Sequence, residues 1–250
     1  MIIVVTSWRG LGATTIAMAL ASVASREGDA WLVEADPAGG VLAGRLNLGR
    51  ATVGGLERVA FPTQACSMIE AFHEVAHDHG GVRIVSAPLD PFRAMACHRP
   101  RADWIGGLGD LDGTVVVDAG RLRAGSVCWP MLRAADAVLC VAAPEVSAAV
   151  ATAEWLRVAG RVGPSERGLD DTTVNVAVVA SPSSVAFARH TLQADYGPAY
   201  AGWIPWDPVG VDLLHSGADV THRRVQRRPL LVGAIQLFDG LRTATPAGVQ

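Results

Sequence analysis

The sequence predicts a single doubly wound α/β domain, a mainly parallel sheet of about seven strands flanked by helices. Three observations carry this expectation. Short apolar runs recur along the chain, at Ile2 to Val5, Ala30 to Val33, Val82 to Ser86, Thr114 to Val117, Ala137 to Ala142, Val174 to Val179 and Ala201 to Ile204. Such runs have the composition of strands buried on both faces. Helical segments alternate with them, including Cys66 to His79, Phe92 to Trp104 with a break at Pro100, Val146 to Ala159 and a last helix with its apolar stripe on Leu230 or Leu231, Ala234 or Ile235, Phe238 and Leu241. Finally, the first strand passes through a glycine loop directly into a helix. With 250 residues, 50% of them hydrophobic and 18% charged, the chain can bury one large core.

That first unit holds the most specific chemistry. Ser7, Trp8, Arg9, Gly10, Leu11 and Gly12 lead into the strong helix formers that begin at Ala13. Strand, glycine loop and helix together make a phosphate cradle, because glycines let backbone amides approach an anion and the helix start adds partial positive charge. On the G-x-x-x-x-G-K-[ST] pattern, Gly12 takes the second glycine, Ser7 the first, Ala13 the lysine and Thr14 the magnesium-binding hydroxyl. No shift of register restores the lysine, since all 21 Lys and Arg residues are arginine. Arg9 is the nearest substitute charge, on a larger and less adaptable head than an ammonium.

Acidic residues sit at two strand ends. Glu34 and Asp36, followed by Pro37, close the second strand, and Asp118 closes the fourth. Open α/β sheets bind ligands at this edge. Asp-Pro before Gly39 and Gly40 also suits a plain turn, and Asp118 also suits a loop cap.

The loop resembles the deviant P-loop of the MinD/ParA family, K-G-G-x-G-K-[ST]-T, with Trp8 in the position of the signature lysine and the loop one residue short. Alanine before the hydroxyl resembles the TadZ/CpaE branch associated with Tad-type pilus assembly. The resemblance extends over Ile2 to about Arg242, through a D-x-D-P motif at Glu34 and Asp36, a Walker B aspartate at Asp118, a Pro144-Glu145 block and an I-P-x-D turn at Ile204 to Asp207. It implies ATP or ADP with Mg2+ as cofactor. Arg9, Gly10, Leu11, Gly12, Ala13, Thr14 and Thr15 would meet the phosphates and Pro205 the base. Thr14 and Asp118 would hold the metal, with Asp36 and Glu34 as catalytic carboxylates beside the attacking water. The asparagine that reads adenine in relatives is absent from Ala180 to Ser183. The resemblance further implies a homodimer serving as a localisation or assembly factor, with weak or lost hydrolysis and with protein partners in a positioning, secretion or pilus machine. Two other readings are an active ATPase that uses arginine, and a nucleotide-free scaffold with Trp8 filling the site.

A rival motif lies in the predicted helix at Cys66 to His79. His73, Glu74 and His77 spell H-E-x-x-H, which on a continuous helix would offer two imidazoles to zinc and a glutamate base; Arg83 occupies the usual third-ligand position. That position decides against zinc, and chance on a solvated helix face accounts for the match better. Arg223, Arg224, Arg227 and Arg228 form the one dense basic cluster, read either as a surface for nonspecific DNA or as a solvated helix start. Net charge is −3, so no global footprint for nucleic acid exists. Four cysteines without a C-x-x-C pair predict a reducing compartment, and a strand beginning at Ile2 predicts no signal peptide, so the expected location is cytoplasmic. Asp136 and Glu145 interrupt the longest apolar region, and the tail is short and polar, arguing against membrane insertion. Residues 1–243 are expected to form the domain and 244–250 the tail.

Overall fold

The computed structural model describes residues 1–49, 54–63, 66–99, 102–123, 125–159, 174–180, 182 and 186–244. Its elements run β1 (Ile2–Ser7), α1 (Ala13–Ala24), β2 (Ala30–Glu34), α2 (Leu42–Arg45), α3 (Gly55–Ala60), α4 (Met68–Val75), β3 (His77–His79) and β4 (Val82–Val85). Then follow α5 (Pro91–Ala96), β5 (Thr114–Arg121), α6 (Trp129–Ala134), β6 (Ala137–Ala142), α7 (Val146–Ala159), β7 (Val174–Val179), α8 (Arg189–Tyr196), β8 (Tyr200–Ile204), α9 (Pro208–His215), α10 (Arg223–Gln226) and α11 (Pro229–Ala244). The sheet order is β3-β4-β2-β5-β1-β6-β7-β8. Every pairing is parallel except that of β3 with β4. The seven expected strands are thus the parallel set, and β3 is an added antiparallel edge.

Alternation along β1 builds two layers. Ile3 and Val5 face a core shared with α1 and α11, while Val4 faces the core that holds Trp31, Phe72, Trp104 and Trp129. Nearly all of α1 is buried, because it lies between the sheet on one side and α9 and α11 on the other. Its Ala-rich sequence suits that position, since small side chains allow close approach of helix and sheet.

The helix expected over Cys66 to His79 is shorter. A capping box starts it, Ser67 accepting from the Glu70 amide and Glu70 from the Ser67 amide, and it ends at Val75, with Ala76 already extended. Gly80 and Gly81, with φ of 57° and 85°, then make a tight turn that pairs His79 with Val82. His73 therefore lies on α4, its ring edge-on to Trp31 at 5.0 Å, whereas His77 lies on β3 and Glu74 pairs with Arg58. The expectation of two imidazoles on one helix face fails because the Gly-Gly hairpin captures the second histidine. No group of three His, Cys, Asp or Glu side chains able to hold a metal occurs among the described residues. The helix expected from Phe92 to Trp104 is also shorter, Pro91–Ala96, and its predicted break at Pro100 lies outside the described residues. Ser181, Ser183 and the tail from residue 245 also lie outside them. No described helix is long and apolar enough to cross a membrane.

Candidate functional site

The glycine loop is positioned by an irregularity in the sheet. Between Val5 and Ser7 the register of β1 on β5 shifts, so that Ser7 stands opposite Arg121, while β6 holds the other side of Ser7 through Val141. The Ser7 hydroxyl accepts from the amides of Gly10 at 3.0 Å and Leu11 at 3.3 Å, tying the loop back on its own start. Gly10 and Gly12 have φ of 70° and 95°, the left-handed region that favours glycine. Gly12 then caps α1 with no side chain, and the first helical bond runs from Ile16 to Gly12. The amides that start α1 have no partner within the helix and point toward an anion position.

A cavity of about 790 Å3 opens above this loop. Gly10, Gly12, Ala13, Thr14 and Thr15 line it from below, Asp36 to Ala38 from one side, and Gly120, Arg121 and Arg123 from the other. A second cavity, about 410 Å3 and mostly apolar, is walled by Leu11, Ile16, Val179, Pro205, Trp206 and Leu230. Gly12 and Thr15 line both, so the two cavities meet at the start of α1. Leu11 therefore belongs with Pro205 rather than with the other loop residues. Trp8 and Arg9 line neither; they border a third hollow with Arg121 and Arg123, and Trp8 packs on Trp155 at 6.5 Å. The expectation that Trp8 fills the site thus fails, because the indole is drawn into the face covered by α7.

Three carboxylates converge where β2 and β5 end. Glu34 and Asp118 are register partners across the two strands, and both are buried. Glu34 is saturated by the backbone: Oε1 accepts from Val41 at 2.6 Å and Leu42 at 2.9 Å, and Oε2 from Ala87 at 3.0 Å. Burial raises its pKa against the opposing pull of those three amides. Asp36 is half-buried, accepts from the Ala38 amide at 2.8 Å and packs so closely on Gly120 that a Cβ there would stand 2.1 Å from its Cγ. Burial raises its pKa too, while the Ala38 amide and Arg121 pull it down.

Asp118 is fully buried, and its Oδ1 accepts from the Gly120 amide at 3.0 Å. Its Oδ2 has no hydrogen-bond partner. Burial pushes the carboxyl up to about 7, with the Glu34 and Asp36 charges adding to the rise and the Thr14 hydroxyl and Gly120 amide opposing it. A buried, unpartnered carboxylate oxygen facing a threonine hydroxyl beside an anion cradle is a hard oxygen set suited to Mg2+.

Sequence reasoning missed the arginines of this site. Arg45, Arg121 and Arg123 line the cavity above the loop, where Arg9 was expected. The only signal was indirect: a lysine-free chain with two arginines shortly after Asp118. At the basic cluster the structure removes one member, since Arg228 pairs with both oxygens of the buried Asp207, which also accepts from the amides of Gly210 and Leu230. Arg223, Arg224 and Arg227 remain exposed.

Strand, glycine loop, helix and the Asp118 strand end define a P-loop nucleoside-triphosphatase fold. Within that class the fold is of MinD/ParA type. The structure is similar to a ParA family ATPase from Chlorobium tepidum TLS, with TM-score 0.74 at 14% identity over 95% of this chain and 96% of the other. It is similar to the cell division ATPase MinD of Pyrococcus furiosus, with TM-score 0.73 at 16% identity over 97% and 98%. It is also similar to MinD of Pyrococcus horikoshii complexed with Mg-ADP, with TM-score 0.71 at 16% identity over 99% and 98%. No family model and no curated protein matches the sequence.

Proposed function

We propose that this chain is a nucleotide-dependent switch of MinD/ParA type, binding ATP or ADP with Mg2+ and acting as a localisation or assembly factor. One observation carries the reading: a cavity over a glycine loop, lined by Thr14, Asp36 and three arginines, and an apolar cavity beside Pro205 meet at Gly12 and Thr15, the layout a nucleotide requires. The amides of Ala13, Thr14 and Thr15 bind phosphate oxygens, and the apolar cavity takes the base. Thr14 and Asp118 would hold Mg2+, which supplies charge neutralisation on the phosphates. Asp36 reaches into the same cavity and orients water; Glu34, saturated by backbone, holds the walls of the site in place. The Mg-ADP complex of the similar Pyrococcus horikoshii MinD supports this reading.

With no lysine in the loop, the ammonium that would meet the developing charge of phosphoryl transfer is missing, so turnover is weak or absent. Ala13 in the lysine position favours a role akin to that of TadZ/CpaE proteins in pilus assembly, as a homodimer in the cytoplasm recruited by protein partners. The arginines lining the cavity favour one other reading, an ATPase that uses arginine. Calorimetric titration of the metal-free, nucleotide-free protein with ATP and ADP plus Mg2+, with light scattering alongside, tests the proposal. Binding accompanied by a doubling of mass is the expected result; no binding at millimolar nucleotide overturns it. Magnesium-dependent turnover lost in Asp36→Ala would establish the active ATPase instead.

A further inference from the structure

We infer that Arg121, at the end of β5, stands in for the absent loop lysine and binds the phosphate chain in the cavity above Gly10. The inference rests on the phosphate-binding part of the proposed function and names the residue that supplies its charge. The placement is built into the sheet. Strand β5 continues beyond Asp118, and the register shift in β1 sets Arg121 opposite Ser7, where the loop begins. Two bonds fix that end of the strand: Leu122 N–H donates to Ser7 O at 3.0 Å, and the Thr6 hydroxyl donates to Gly120 O at 3.1 Å. Gly120, with φ of 59°, turns the chain so that Asp36 packs against it.

From there the side chain folds back over the loop. A Cβ on Gly10 would stand 2.7 Å from Nη2 of Arg121, so the guanidinium lies directly on the glycine. Arg121 lines both the phosphate cavity and the neighbouring hollow, whereas Arg9 lines only the hollow. Among the described residues Arg121 makes no ion pair within 4.0 Å, unlike Arg228, which is committed to Asp207. With no described carboxylate within 4.0 Å, and Asp36 coupled to it only through the field that pulls the Asp36 pKa down against burial, this guanidinium has its fork of donors available for two oxygens at once. A loop lysine reaches phosphate from α1; here the same charge arrives from the neighbouring strand.

The test is calorimetry on the full chain with Mg2+ and two probes, inorganic tripolyphosphate and ATP, for wild type, Arg121→Ala, Arg121→Lys and Arg9→Ala. Loss of charge-assisted bonds should weaken both probes about 10- to 100-fold in Arg121→Ala. Arg121→Lys should recover part of that loss, and Arg9→Ala should stay within about threefold of wild type. Melting curves should coincide, since Arg121 is exposed. Equal tripolyphosphate affinity in wild type and Arg121→Ala, loss confined to Arg9→Ala, or no tripolyphosphate binding by wild type would each overturn the inference. Arg121-dependent tripolyphosphate binding without ATP binding would instead uphold it and overturn the nucleotide reading.

Discussion

Asp118→Asn is the substitution whose effect the structure defines most sharply. The folded protein buries this carboxyl completely, leaves Oδ2 without a partner and raises its pKa to about 7, chiefly through burial. The unfolded chain returns it to the usual carboxylate range near 3.8. Because the folded value is the higher one, the fold prefers the protonated form. Its contribution is fully present below the unfolded value and is lost as pH rises toward about 7. At 1.36 kcal/mol per tenfold change in proton affinity, ionising Asp118 in the fold costs about 4 kcal/mol at alkaline pH. Roughly 2–3 kcal/mol of that cost falls between about pH 5 and about pH 8.

Asparagine keeps an acceptor for the Gly120 amide and removes the charge. Urea denaturation of ligand-free protein should therefore find Asp118→Asn more stable than wild type by roughly 4 kcal/mol at about pH 8 and by roughly 1–2 kcal/mol at about pH 5, the two becoming nearly equal below about pH 4. Glu34 and Asp36 are also raised by burial, so wild type itself should lose stability as pH rises; the difference between the two proteins isolates Asp118. In the presence of Mg2+ and ADP the order should reverse, because the variant cannot supply its oxygen to the metal. A stability difference that does not change with pH, or a variant less stable than wild type at every pH, would refute the reasoning.

Glu34→Ala strips acceptors from the amides of Val41, Leu42 and Ala87 and should lower stability by about 3 kcal/mol, read by chemical denaturation. A loss below about 1 kcal/mol would show that water replaces the carboxylate at those amides. Arg228→Ala leaves the buried Asp207 without its guanidinium and should lower stability, by less than breaking a fully buried pair would because solvent screens the arginine. Burial works to raise the Asp207 pKa, but Arg228 and the amides of Gly210 and Leu230 hold it below the usual range. The wild-type pair therefore stabilises the fold above about pH 4 and fades as pH falls further, and the variant should show a smaller acid-dependent loss. Identical acid denaturation profiles would overturn that account.

The parallel strands were legible because each is continuously apolar, as strands buried on both faces must be. β3 was not, since His77, Asp78 and His79 form a polar edge whose only signal is the Gly80-Gly81 turn, and the apparent helical run before it concealed the break. Strand ends brought Glu34, Asp36 and Asp118 together as the sequence suggested, because register in a parallel sheet aligns carboxyl ends. What Glu34 does there was illegible: its amide partners are Val41 and Leu42, in the irregular segment after β2, and Ala87, brought beside it only by the pairing of β4 with β2. Arg121 escaped for a related reason. A one-residue slip between β1 and β5 decides that it meets the loop, and slips of this kind leave no mark in composition.

The burial of α1 has a mechanical consequence. Its 12 residues make a rod about 18 Å long, with the loop amides at one end and close-packed neighbours along its length. A load applied at the loop cannot be absorbed by bending a solvent-facing side, because the helix has almost none. It passes instead to the elements packed along the rod, the sheet on one side and α9 and α11 on the other. The outer surface of those two helices is thus one helix layer away from the rod that begins at the glycine loop.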